Sequence, residues 1–298
     1  MRILAAGDSS AVTARRFLRV MVVVLGLPAA SGVHGGEAAQ ARWQWFPLEQ
    51  MYPRYLADPL RTTFSFQAMA LSRSTLANAG RKRFLLKVGG PLGIVRRVSA
   101  ANPARGWQVT LEAAINGQFD VDQSQDNIGW DGIYGLYLSG RHHRSLAWRV
   151  GLRHISAHVG DEFMERTGRA RIEYTREELR AGLAWLPGPD LVVYVDAGGA
   201  HDLRNRVLQK TWRVQAGVQV ERLRAWWDGA GGWYAALDVA AWEEDDWARS
   251  YSAQAGIVFP VHERRWRFGL AYHDGRSAMG EFFQARERFL ALGVWLDI

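Results

Sequence analysis

The sequence contains no cysteine. That excludes a disulfide framework, a thiolate metal site and a lipid anchor on an N-terminal cysteine, and it suits an oxidising compartment. Lysine is nearly missing too: of 37 basic residues only Lys82, Lys87 and Lys210 are lysine, which leaves 34 arginines. The net charge of +7 is carried by arginines spread among carboxylates, with no basic arm and no basic helix face. Nucleic acid is therefore not an expected partner. Arginine used in this way fits carboxylate pairing in a polar lumen, or phosphate contact at a lipid headgroup. Helical periodicity is absent past residue 42. With 48% hydrophobic and 22% charged residues the chain is neither disordered nor a bundle of membrane helices.

The one long apolar run lies near the N-terminus. Arg15, Arg16 and Arg19 precede Val20 to Ala30, and a small-residue stretch then ends in Ala39-Gln40-Ala41. The run is shorter than the roughly 20 residues that a membrane helix needs, so residues 1–41 read as a cleaved export signal with an A-x-A site. Cleavage nearer Ala30 is the alternative. Removing 1–41 takes away Arg2, Arg15, Arg16 and Arg19 with Asp8 and Glu37, leaving 33 basic and 28 acidic residues and a net charge of +5.

What the mature chain does have is a period of two. Trp107, Val109, Leu111, Ala113, Ile115 and Phe119 share one face, with Gln108, Thr110, Glu112, Asn116 and Gln118 on the other. Leu208 to Glu221 repeats the pattern, with Lys210 the exception. Such segments exceed the usual strand of about five or six residues and match the roughly ten-residue strands of a transmembrane barrel. Others run at 61–72, 82–98, 127–139, 145–158, 169–185, 190–200, 232–242, 250–260, 264–273 and 287–298, giving about twelve strands. Within 169–185 the apolar phases disagree, so a bulge or turn is expected, and Gly89-Gly90-Pro91 makes 82–98 the other irregular member.

Alternation alone does not distinguish a lipid-facing wall from a soluble core, and a large soluble barrel or sandwich is the competing reading. Strand length, the polarity of the second face and tryptophans near strand ends (Trp107, Trp130, Trp185, Trp212, Trp233, Trp242, Trp266 and Trp295) favour the membrane. The expected fold is thus all-β, an up-and-down antiparallel transmembrane β-barrel over residues 61–298, with a short extended periplasmic lead-in at 42–60. The outer loops are then 73–81, 120–126, 159–168, 201–207, 243–249 and 274–286. The shorter set, 99–106, 140–144, 186–189, 222–231 and 261–263, faces the periplasm.

Three stretches, His154-Ile-Ser-Ala-His-Val-Gly-Asp-Glu162, Ala241-Trp-Glu-Glu-Asp-Asp-Trp247 and Tyr272-His-Asp-Gly-Arg-Ser-Ala-Met-Gly-Glu-Phe-Phe283, resemble signatures of a bacterial family known as domain of unknown function 1207. Phe46-Pro-Leu to Tyr55-Leu-Ala-Asp-Pro59 resembles that family's opening segment. The resemblance covers nearly the whole mature chain and implies an outer-membrane-type barrel, with no activity assigned. One departure is the terminal Ile298, where outer-membrane strands commonly end in an aromatic residue. The partners this implies are outer-membrane lipids, lipopolysaccharide and the barrel assembly machinery.

On this orientation the three signatures fall at the extracellular rim, where loops on a rigid scaffold concentrate function. His154, Ser156, His158, Asp161, Glu162, Glu243, Asp246, His273, Asp274 and Arg276 are expected to form one polar cluster that holds whatever the barrel binds. His154 and Ser156 stand two apart, so they share a strand face. A serine nucleophile needs a base within reach and an acid behind the base, a part open to Glu162, with Asp161 and Glu173 also near. The His-x-Ser pattern near a strand top is similar to outer-membrane phospholipase A and the lipid A deacylases, so the alternative function is outer-leaflet lipid hydrolysis. Parity with Leu146, Trp148, Val150 and Leu152 would put the pair on the lipid side, whereas a bulge near Arg153 would turn it into the lumen mouth. No nucleophile-elbow motif is present. His154 and His158, about 13 Å apart along a strand, do not share one ion, so no metal site is assigned. Calcium on the run Glu243 to Asp246 is a further option that lacks the ligand spacing of a calcium loop.

Overall fold

A computed structural model describes residues 41–298 apart from 103 and 263. The expected export signal, residues 1–41, therefore lies outside the described residues except for Ala41. Thirteen strands follow one another: β1 (Arg42–Trp45), β2 (Phe64–Ser74), β3 (Lys82–Val98), β4 (Gly106–Asp120), β5 (Asp126–His143), β6 (Leu146–Val159), β7 (Thr175–Trp185), β8 (Leu191–Leu203), β9 (Trp212–Trp226), β10 (Gly231–Trp242), β11 (Arg249–Val261), β12 (Arg264–Arg276) and β13 (Arg286–Asp297). A seven-residue helix, α1 (Asp161–Thr167), sits in the loop after β6. From β2 onward each strand pairs antiparallel with the next, and β13 pairs with β2 from Leu296↔Phe64 to Glu287↔Ser74. Strands β2 to β13 thus close a twelve-stranded up-and-down barrel. The short β1 adds to the far end of β3, Arg42↔Val98 to Trp45↔Val95.

The alternation in the sequence sets which way each residue faces. On β9, Trp212, Val214 and Ala216 are exposed on the wall while Arg213, Gln215 and Gln219 are buried inside. On β10, Leu237 is 56% exposed and its neighbour Asp238 is 2% exposed. Apolar side chains turned out and charged ones turned in is the inverse of a soluble core, and it is the arrangement a hydrocarbon surround selects.

Three local expectations come out differently. Residues 169–174 are loop, with Glu173 at φ 54, so β7 begins only at Thr175 and the phase conflict disappears. Across Gly89-Gly90-Pro91, β3 is continuous. There β2 pairs only as far as Lys87 and β1 only from Val95, so Pro91 lies on a stretch that is locally an edge, where a missing N–H is tolerated. Trp242 and Trp295 face inward and are buried, because Val239 on β10 and Leu290 and Leu292 on β13 hold the outer parity.

The lead-in also takes a different place. After β1 the chain passes into the lumen, where Met51, Tyr52, Tyr55, Leu56, Ala57, Arg61, Thr62 and Thr63 are buried. Inward side chains satisfy its backbone. Met51 N–H donates to Gln108 Oε1 at 3.1 Å, Leu56 N–H donates to Gln219 Oε1 at 3.0 Å, and the Met51 carbonyl accepts from Arg141 Nε at 2.7 Å. Buried irregular backbone survives only with such partners.

The wall assignment carries an expected outcome. Leu237→Arg at mid-strand should cost about 2–4 kcal/mol, and Val214→Arg, two residues from the rim residue Trp212, should cost less. Urea unfolding in detergent micelles measures both; equal stability of Leu237→Arg and wild type would place this face away from lipid.

Candidate functional site

Two sets of polar groups stand out, one inside the barrel and one on its outer wall. Inside, two carboxylates collect five arginines from neighbouring strands. Asp196 on β8 accepts from Arg149 at 2.9 Å, Arg180 at 2.5 Å and Arg213 at 2.7 Å. Glu178 on β7 accepts from Arg176 Nε at 2.9 Å and Arg213 Nε at 3.1 Å, with Arg153 Nε 3.9 Å away. The planar guanidinium fork lets one arginine bridge two carboxylates, as Arg213 does, which explains why lysine is so rare here. Aromatic rings complete the packing. Arg149 lies over Tyr52 and Tyr55 of the lead-in at 4.8 and 4.6 Å, and Tyr55 stacks on Tyr194 at 3.7 Å.

At the loop-rich end a second internal network joins elements remote in sequence. Arg276 donates to Glu244 at 2.5 Å and to the Tyr174 hydroxyl at 3.1 Å, while that hydroxyl donates to Glu244 at 3.0 Å. Burial pushes the Tyr174 phenol up to about 12, so it remains a donor. Glu281, also buried, accepts the backbone N–H groups of Ile172 at 2.8 Å and Tyr174 at 2.9 Å. Gly280 passes so close to β6 that a Cβ there would lie 2.7 Å from the Ala157 Cβ. His273 is enclosed as well: its Nε2–H donates to the Arg276 carbonyl and its Nδ1 accepts from Ser252, both at 2.9 Å.

The wall patch is built by unbroken parity. The registers of β5 and β7 against β6 run without a shift from Leu152 to Ser156, so Arg153, Ile155 and Ala157 face inward. His154, Ser156 and His158 consequently share the outer face. His154 lies opposite Glu177 on β7, and its Nδ1 pairs with that carboxylate; the two side chains are 18% and 13% exposed. With Nδ1 taken up by the carboxylate, Nε2 is the ring nitrogen turned away from it. Ser156 Oγ hydrogen-bonds His158 Nε2 at 3.1 Å, and the His158 ring stacks on Trp130 at 4.1 Å. Tyr134, exposed on β5, flanks His154 with its ring centre 5.9 Å away.

Comparison with known proteins adds the fold's relatives. The model for the family described as protein of unknown function (DUF1207) matches residues 30–297. The chain belongs to this family. No curated protein matches it. Among solved structures it is similar to the outer membrane phospholipase A from Escherichia coli, with 10% identity, a TM-score of 0.52, and coverage of 79% of this chain and 92% of that one. It is similar to the same degree to the Salmonella typhi outer membrane phospholipase dimer with bound calcium, with 10% identity, a TM-score of 0.52 and 79% and 90% coverage. LpxR from Salmonella typhimurium gives 9% identity, a TM-score of 0.42 and 79% and 97% coverage. At these identities the likeness is one of fold: an outer-membrane β-barrel.

The residues singled out in the sequence do not form one cluster: His154, Ser156 and His158 lie on the wall, His273 and Arg276 inside, and the rest in neither set. Arg276 and His273 are inside, and the inner partner in the acidic run is Glu244. Glu243 accepts the Trp212 N–H at 2.9 Å, and Asp246 is left-handed in the turn, as is Trp247. Asp274 lies half-exposed on β12 and pairs with Arg288 at 2.7 Å. Asp161 and Glu162 are exposed in the first turn of α1, where acids suit the helix dipole, and Asp161 pairs with Arg171 at 3.0 Å. The carboxylate behind His154 is thus Glu177. It went unnoticed in the sequence because it becomes a neighbour only through the register of β6 with β7. Tyr174 and Glu281 were missed for the same reason, being brought in by loops. Among the described residues no three metal-ligating side chains converge.

The inner network has a measurable weight. Asp196→Ala leaves Arg149, Arg180 and Arg213 without their shared carboxylate and should destabilise the barrel by about 3–5 kcal/mol. Urea unfolding in micelles reads this directly, and a loss under about 1 kcal/mol would mean the site is wet rather than sealed.

Proposed function

We propose that this chain resides in the Gram-negative outer membrane as an occluded barrel that binds lipid at its outer wall, with no role in solute passage. The observation that carries this is the lead-in lodged in the lumen. Beside it three internal cavities measure about 50, 40 and 50 Å³, each with room for little more than a water or two. A larger space, about 370 Å³, lies at the short-turn end and is lined by Leu48, Arg54, Arg141, Asp190, Arg265 and Asp297. Polar groups that face lipid are the remaining surface with a task, since ionisable residues at membrane depth are costly and kept for function. Outer-leaflet phospholipid and lipopolysaccharide are the partners in reach of that wall, and delivery by the barrel assembly machinery belongs to the same reading. An export signal ending at Ala41 fits it too, because β1 starts at Arg42. The hydrogen bond between Ser156 and His158 favours a second reading, lipid ester hydrolysis at the same patch.

The test is electrical. Full-length mature protein reconstituted in planar bilayers should give no conductance steps across a range of voltages, while heat-modifiable mobility on gels shows that the barrel is folded. Stable open-channel conductance of the wild type would overturn the occluded reading.

A further inference from the structure

The outer-wall patch carries more than a binding role requires. Lipid contact needs apolar side chains and a headgroup donor; it does not need a glutamate in the wall. Glu177 is largely covered, on the lipid side of a strand, and its partner is an imidazole that meets it through Nδ1. A carboxylate placed there needs a polar partner, and its contact takes up Nδ1, so Nε2 is the imidazole nitrogen left to act as a base. Two residues along the same face stands Ser156, with His158 a further two beyond. The serine hydroxyl is thus flanked at equal spacing by two imidazoles, and rotation about its χ1 can turn it from one toward the other.

We propose that Ser156 is an acyl-transfer nucleophile, His154 its base and Glu177 the positioning carboxylate, acting on an acyl ester of an outer-leaflet lipid. This rests on the patch facing lipid, as argued above. His154 is assigned over His158 because it alone of the two has a carboxylate on Nδ1, the third element such a base requires. His158, held flat against Trp130, keeps the resting hydroxyl. In the first step Ser156 Oγ bonds to the ester carbonyl carbon while its proton passes to His154 Nε2. The carbon–oxygen bond to the lipid alcohol then breaks, and that alcohol leaves with the proton from Nε2. Water next gives a proton to the same nitrogen and attacks the acyl-serine, and the fatty acid departs as the serine regains its proton. The Glu177 carboxylate steadies the imidazolium formed in each half. The open wall admits a lipid sideways from the bilayer, so no lumen route is needed.

The ester can come from a glycerophospholipid or from lipid A, and two arms separate these sources. Full-length mature protein is incubated with phosphatidylglycerol in mixed micelles, and separately with purified lipopolysaccharide, and released fatty acid is measured. Release is expected in one arm, with labelling of Ser156 by a long-chain fluorophosphonate. Ser156→Ala should abolish both signals. His154→Ala should lower the rate by about 100-fold or more and His158→Ala by less than about 10-fold, in line with the usual weight of a general base. Glu177→Gln should lower kcat and leave KM in place, and Glu177→Asp, which keeps a carboxylate, should restore part of the loss; a merely structural glutamate would not give that split. Each variant is checked for heat-modifiable mobility. No release in either arm and no labelling of folded protein would sink the proposal, as would activity surviving Ser156→Ala or a larger loss in His158→Ala than in His154→Ala. A non-conducting barrel without hydrolysis removes only this proposal, whereas a conducting one removes the occluded reading.

Discussion

Charge withdrawn from bulk water has to be met by opposite charge at close range, and the interior of this barrel is arranged around that demand. Asp196 and Glu178 are surrounded by Arg149, Arg153, Arg176, Arg180 and Arg213, and near the other end Asp297 pairs with Arg54 and Arg267. Removing any one member leaves its partners unscreened, so the residues are fixed as a set more than one by one. The abundance of arginine, the scarcity of lysine and the close alternation of charge and amide along each strand all follow from it. The aromatic rings of Tyr52, Tyr55 and Trp242 add faces for guanidinium groups that carboxylates leave uncovered.

The same constraint explains how an irregular segment can lie in the lumen. The stretch from Met51 to Thr63 has no ladder of its own, and its backbone is received by Gln108, Gln219, Arg141 and Lys87 from four separate strands. Those residues have two jobs: they form the polar inner face, and they act as substitutes for a missing strand partner. At the loop-rich end Glu281 does the same for residues 172 and 174.

Much of the wall was legible because its information is local. Alternation from Trp212 to Val218 is enough to say that Arg213 and Val214 point opposite ways, and hydrocarbon outside decides which way is out. For His154, parity with Val150 and Leu152 points to the outer face and a bulge near Arg153 would reverse it; the choice is made by the unshifted register of β6 with both neighbours. What stayed hidden was non-local. Glu177 meets His154 only once β6 and β7 are in register, and Glu244 rather than Glu243 or Asp246 reaches Arg276 because the turn after β10 aims one carboxylate inward. Trp242 and Trp295 were misplaced since an aromatic near a strand end suggests a girdle, yet the parity of each strand overrides position. The lead-in left no periodic trace at all, because side chains that receive its backbone lie between 28 and 163 residues downstream.

The ring is sealed between β2 and β13, the earliest and latest of its strands, and the segment inside is joined directly to β2. A segment tethered in this way never leaves the mouth of its own cylinder, so its contacts with Gln108 and Gln219 are intramolecular and held at a fixed local concentration. Dilution cannot strip the lumen of its filling: the plug travels with the barrel it closes.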